Sequence, residues 1–183
     1  ATAARFQEKV LGVLICCGMS DMRWASSNAN MEGVEQYVGL SREEAYQKAV
    51  QDMGEDGSKM LSNDEKTGNS NLSPPDLAYI QKPENIERFI DNATFAQGVT
   101  GYADDRLADC SDQGWSSFEV NNVSCPVNII HGEVDTIVPV AHAEHTAEIV
   151  NDSELKIYPD HGHLSISEEI NVNLKALIER SDS

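Results

Sequence analysis

The spacing of apolar and polar positions changes several times along the chain, and each change marks a new kind of element. "VLGVLIC", at 10–16, is a continuous apolar run of strand length. Such a run predicts a strand buried on both faces, as in a parallel sheet, with Gly18 closing it. The preceding "ATAARFQEK" is helix-compatible and begins without Met or an N-cap, so it is expected to lie inside a helix. Between 21 and 117 the strand pattern is absent. "SREEAYQKAVQDMG" predicts a helix, with Ser41 and Glu44 at capping-box spacing and Gly54 at its end. "SPPDLAYIQK" and "KPENIERFIDNATFAQG" each place proline near a helix start. Ile86, Phe89, Ile90 and Phe95 form an apolar stripe in the second. "DGSKMLSNDEKTGNSNLS" reads as a loop, and "GYADDRLADC" returns to helix.

Strand periodicity comes back in "CPVNIIHG". It is followed by a predicted helix over 138–150, a strand in "ELKIY", and a terminal helix in "SISEEINVNLKALIER". Ile166, Ile170, Leu174, Leu177 and Ile178 should share the buried face of that helix. Strand, helical insertion, strand, helix, strand, helix is the order of an α/β protein with a parallel sheet.

Two residues then stand out. Asp135 follows the strand "VNII" and His163 follows the strand "LKIY", each by a few positions. Functional groups in open parallel sheets gather at the carboxyl ends of the strands. Right-handed crossovers make consecutive strands neighbours, so the two side chains can meet. A buried aspartate bonded to an imidazole holds its tautomer and leaves the other ring nitrogen to take a proton. Gly132 and Gly162 are expected to permit the tight turns of these loops. Taken singly, Asp135 would be a helix cap and His163 a surface histidine.

Composition narrows the picture. The 183 residues, 40% of them hydrophobic, suffice for one domain with a core. A formal charge of −18 repels phosphate backbones and anionic lipid, which argues against nucleic-acid and membrane partners; high-salt solubility is a lesser reading. No apolar run reaches the roughly 18 residues of a membrane span. None of the four cysteines forms a CxxC pair, and adjacent Cys16 and Cys17 read as small buried hydrophobes. Reduced thiols point to a cytoplasmic setting. "NAT" at Asn92 and "NVS" at Asn122 carry no weight without a secretion signal. His142 and His145 share i, i+3 spacing, but no ligand cluster completes a metal site, and His142 reads as a surface-helix residue. Glu133, Asp104 and Asp105 read as solvated charges.

"CPVNIIHGEVDTIVPVAHA" and "YPDHGHLSI" resemble the C-terminal signature of the α/β-hydrolase fold family, HGxxDxxVP after the seventh strand and GH after the eighth. The resemblance implies that Asp135 is the triad acid and His163 the triad histidine, in the family order nucleophile, acid, histidine. It further implies a division into 1–20 (end of the nucleophile helix and strand six), 21–117 (helical cap, with Trp115 in the linker back) and 118–183 (strands seven and eight with the acid and histidine loops). The fold expected is thus the C-terminal part of an α/β-hydrolase sheet, strands six to eight, with an inserted helical cap.

The G-x-S-x-G nucleophile elbow that the family places ahead of strand six is not in these 183 residues. "GMSDM" around Ser20 and "GWSSF" around Ser116 match neither its sequence nor its position. The reading is therefore a C-terminal portion of a serine-type carboxylic ester hydrolase, inactive by itself and missing the N-terminal half of its fold. It would act on a small-molecule substrate and need no cofactor. Val138 and Leu164 flank the two catalytic positions and are expected to line the substrate pocket. The alternatives are a haloalkane dehalogenase or epoxide hydrolase with an aspartate nucleophile, or a non-catalytic binding relative.

Overall fold

A computed structural model describes residues 2–29, 34–54, 72–85, 98–110 and 120–181. Three strands, β1 (Val13–Cys16), β2 (Val127–Gly132) and β3 (Ser153–Tyr158), pair in parallel in the order β1-β2-β3. Ile15 lies opposite Ile129, and Gly132 opposite Tyr158. Every residue of central β2 is buried, because helices cover both faces of the sheet. Its side chains alternate between them. Val127 and Ile129 join Ala3, Val123, Cys125, Ala143 and Val150 on one side. Ile130 joins Cys17 and Ile166 on the other. The expectation that β1 is buried on both faces needs correcting. All four of its residues are half-buried, since it forms one edge of this three-stranded sheet.

The first segment makes only one α-helical turn, α1 (Thr2–Arg5), followed by a 3-10 turn at Gln7–Lys9. Between β1 and β2 all described elements are helical: α2 (Met22–Asn28), α3 (Arg42–Met53), α4 (Pro74–Ile80), α5 (Gly98–Asp109) and two 3-10 turns. The Ser41–Glu44 capping box forms, and Gly54 ends α3 at φ 78°. Helix α3 packs on α5 through Ala45, Ala49, Val99 and Ala103, small residues that let the backbones approach, with Tyr37 closing the cluster. Asp104 pairs with Arg42 across this seam at the surface. The predicted 56–73 loop lies outside the described residues except for Leu72 and Ser73. The stripe of Ile86, Phe89, Ile90 and Phe95, together with Ser116 and Trp115, lies wholly outside them.

Helix α6 (Ala141–Ile149) crosses from β2 to β3, starting three residues later than its apolar pattern suggested. After β3 a 3-10 turn (Ser165–Glu169) runs into α7 (Ile170–Ser181). The buried face of this last segment is not the one predicted. Ile166, Asn173 and Leu177 are buried, whereas Leu174 and Ile178 are exposed. Asn173 takes the inner position because its amide donates to the Tyr158 hydroxyl (2.7 Å) and the Glu169 carbonyl (2.8 Å), which satisfies a polar group inside. Among the described residues no helix is long and apolar enough to cross a membrane.

Candidate active site

The loops leaving β2 and β3 are laced together by backbone bonds. Glu133 N–H donates to Tyr158 O (2.9 Å) and Val134 N–H to His161 O (3.2 Å). The two glycines make this approach possible, though not by the turn geometry expected of them. Neither has a positive φ. Instead, a Cβ at Gly132 would overlap the carbonyl of His161, and one at Gly162 would overlap Ser73 Oγ and the Asp76 carboxylate. The close backbone contact, rather than a left-handed turn, is what requires glycine.

Asp135 sits in the first loop with its side chain fully buried. Its Oδ1 accepts from the N–H groups of Ile137 and Val138, both at 2.8 Å, and its Oδ2 accepts from His163 Nδ1 at 2.9 Å. Asp135 does not cap α6, whose N-cap is Val140: one of its carboxylate oxygens holds the 137–138 backbone of the loop, and the other accepts from His163. Burial pushes this carboxyl up. The bond from His163 and the N–H groups of Val138 and Ile137 outweigh it, so the carboxyl lies below its ordinary value.

Donation from Nδ1 leaves the His163 Nε2 with the lone pair in the neutral ring. Among the described residues Nε2 has no hydrogen-bond partner, and the side chain remains 27% exposed. A base held at one nitrogen and open at the other is the arrangement needed for proton abstraction.

Two further residues surround the pair. His131, fully buried on β2, directs Nε2 at the Val138 carbonyl (2.9 Å) and lies 3.4 Å from Asp135 Oδ2. Burial lowers its pKa, against the pull of the Val138 carbonyl and the Asp135 carboxylate. Cys17, the residue after β1, has a left-handed conformation (φ 45°), and its thiol lies 3.8 Å from Gly162 O. Burial holds that thiol well above its ordinary pKa. Cys17, Asp135 and His163 bring one ligand atom each within 4.8 Å of one another. A protonated thiol and an imidazole nitrogen already committed to a carboxylate do not make this a metal site.

Val138 is buried and serves the site through its backbone, giving its N–H to Asp135 and its carbonyl to His131. Leu164 is half-buried beside His163. Ser20 is buried and distant in role from a nucleophile. Its Oγ bonds His145 Nδ1 (2.6 Å) and its N–H donates to His142 Nδ1 (3.0 Å). His145 stacks on Trp24 with centroids 3.9 Å apart. His142 is therefore a core residue, not the surface-helix residue expected, because Ser20 and Trp24 pack over α6 at that point. Glu133 is exposed, as expected.

Sequence reasoning missed Asp76. This fully buried carboxylate of α4 bonds the backbone of the His163 loop. Ser73 and Asp76 stand at the S-x-x-D spacing that normally marks a local helix cap, and this hides a long-range role.

No family model matches the chain. A non-heme haloperoxidase from Rhodococcus erythropolis is 27% identical over 113 residues, 58% of this chain and 41% of that protein. Among solved structures, a hydrolase from Pseudomonas aeruginosa PA01 superimposes over 100% of this chain and 59% of its own, with a TM-score of 0.64 and 20% identity. A thermophilic esterase from Thermogutta terrifontis covers 99% and 60%, with a TM-score of 0.62 and 14% identity. An epoxide hydrolase mutant from Bacillus megaterium covers 97% and 63%, with a TM-score of 0.59 and 16% identity. The chain has the α/β-hydrolase fold. Its three-stranded parallel sheet is consistent with part of such a core, and the chain spans about 60% of those structures' length.

Proposed function

We propose that this chain supplies the acid and the base of an α/β-hydrolase acting on a small carboxylic ester. The observation that carries the reading is the His163 Nδ1–Asp135 Oδ2 bond of 2.9 Å, with Nε2 left open toward solvent. A serine hydroxyl contributed from outside this chain would give its proton to His163 Nε2 as it attacks the ester carbonyl. Asp135 would stabilise the imidazolium. His163 would then return the proton to the leaving alcohol and activate water for the second step. Val138 and Leu164 would flank the bound acyl group. In this reading 1–20 and 118–183 are core and 21–117 is cap. No cofactor takes part, and the free thiols fit a cytoplasmic location.

The epoxide-hydrolase neighbour supports a second reading, in which the same pair activates water against an ester formed on an aspartate nucleophile. The test is to express the protein from its complete coding sequence and assay p-nitrophenyl acetate and butyrate, styrene oxide and a haloalkane. Ester turnover that His163→Ala abolishes supports the first reading. Epoxide or haloalkane turnover alone moves the assignment to the second. No turnover of any of these favours a non-catalytic binding protein.

A further inference from the structure

Asp76 is a buried carboxylate that, apart from Ser73 Oγ at the start of its own helix, is bonded by groups of a distant loop. Helix α4 opens with Ser73-Pro74-Pro75, and prolines at the first helical positions have no N–H to satisfy. The Asp76 side chain turns instead to the chain after β3. Its Oδ2 accepts from His163 N–H (2.8 Å) and Ser73 Oγ (2.9 Å). Its Oδ1 accepts from Leu164 N–H (2.9 Å), Ser165 N–H (2.8 Å) and Ser165 Oγ (2.9 Å). Ser165 Oγ in turn accepts from Gly162 N–H at 2.8 Å. The N–H groups of four successive residues, 162 to 165, thus end on one carboxylate, directly or through one hydroxyl. Only glycine at 162 leaves room for this seat, and the exposed Lys82–Glu168 ion pair ties the same two segments a second time.

We infer that Asp76 is the positioning residue of His163: it fixes the loop backbone so that the imidazole faces Asp135, and it makes the setting of the base depend on the seat of α4. The inference rests on the proposed role of His163 as the base. An imidazole set by one side-chain bond to Asp135 still needs its Cα held. A misplacement of about 1 Å at a reacting group can cost about 10²-fold in rate. Four N–H groups converging on one buried carboxylate supply that restraint, and a shift of α4 would release it.

The test uses the full-length protein labelled with ¹⁵N-histidine, read by NMR and by ester hydrolysis. Wild type should show a far-downfield His163 Nδ1–H resonance. Asp76→Asn can keep its oxygen against the three Oδ1 donors, which sets its NH2 against the His163 N–H. The resonance should then broaden or vanish, and kcat should fall about 10²-fold with KM nearly unchanged. Ser165→Ala, which removes the hydroxyl between Gly162 N–H and Asp76 and leaves the three direct N–H bonds in place, should give an intermediate loss, and it carries the test if Asp76→Asn does not fold. Ser41→Ala, which removes the remote α3 cap, should lower the melting temperature without touching the resonance or kcat. A folded Asp76→Asn with a wild-type resonance and rate overturns the assignment, as does a wild-type Ser165→Ala where Asp76→Asn is unfolded. An Asp135→Asn variant that keeps the resonance overturns the proposed triad itself, so the two failures are distinguishable.

Discussion

His163 donates from Nδ1 to Asp135 Oδ2 across 2.9 Å, a side-chain bond between the loops after two neighbouring parallel strands. It makes the hydrolase reading testable at single atoms. In the full-length protein, His163→Ala should remove most ester turnover. Asp135→Asn should cost up to about 10⁴ in kcat, because the amide favours the wrong imidazole tautomer. Steady-state kinetics on short p-nitrophenyl esters decide it, and unchanged rates in both variants would remove the roles assigned here.

Acid should weaken the fold through the same carboxylate. Asp135 has a folded-state pKa below its ordinary value, so its stabilisation is complete above about 3.9 and is lost as pH falls from there toward the folded value. Wild-type melting temperatures should drop in that window, and Asp135→Asn should flatten the drop. A variant curve parallel to wild type through this window would contradict the network drawn around Asp135.

A second acid limb belongs to histidines held neutral inside. Burial lowers the pKa of His131 and of His145. A base with a depressed folded-state pKa gives stability that is complete above the unfolded value near ~6.5 and fades as pH falls below it. Stability should therefore begin to decline below about pH 6.5. His131→Gln, whose amide can still donate to the Val138 carbonyl, should reduce the slope. Denaturant titrations at a series of pH values measure it.

The glycine contact between the loops should tolerate no side chain. Gly132→Ala drives a methyl into the His161 backbone carbonyl, which can yield only by separating the loops. We expect a loss of about 1–3 kcal/mol, the usual cost of overpacking, and a longer Asp135–His163 distance. A melting temperature equal to wild type would show that the loops are more loosely apposed than described.

Ser20 should prove structural. Ser20→Ala removes the bond to His145 Nδ1 and leaves a half-buried ring nitrogen without its hydroxyl partner, at a cost of about 1–3 kcal/mol. Its effect on ester turnover in the full-length protein should be small once the lower stability is allowed for. Loss of all turnover in a folded Ser20→Ala would reopen the question of the nucleophile.

What could be read from the sequence was set by local spacing. Two apolar runs, each ending a few residues short of Asp135 or His163, announced strand ends and hence the place where functional side chains collect. Ser41 and Glu44 announced their capping box because both partners lie within one helical turn. The bonds that only the tertiary structure decided join distant residues. Asp76 and His163 are 87 positions apart, and Ser20 and His145 are 125 apart. Ser-x-x-Asp at 73–76 looks the same whether the carboxylate caps its own helix or holds another loop. A histidine on a helix looks the same whether Trp24 covers it or water does. The α7 pattern failed for a related reason: amphipathic spacing counts apolar residues, and Asn173 moved inward because Tyr158 and the Glu169 carbonyl satisfy its amide there. Periodicity reports which side of an element prefers to leave water. Which polar group finds a partner inside depends on what the folded chain brings opposite it.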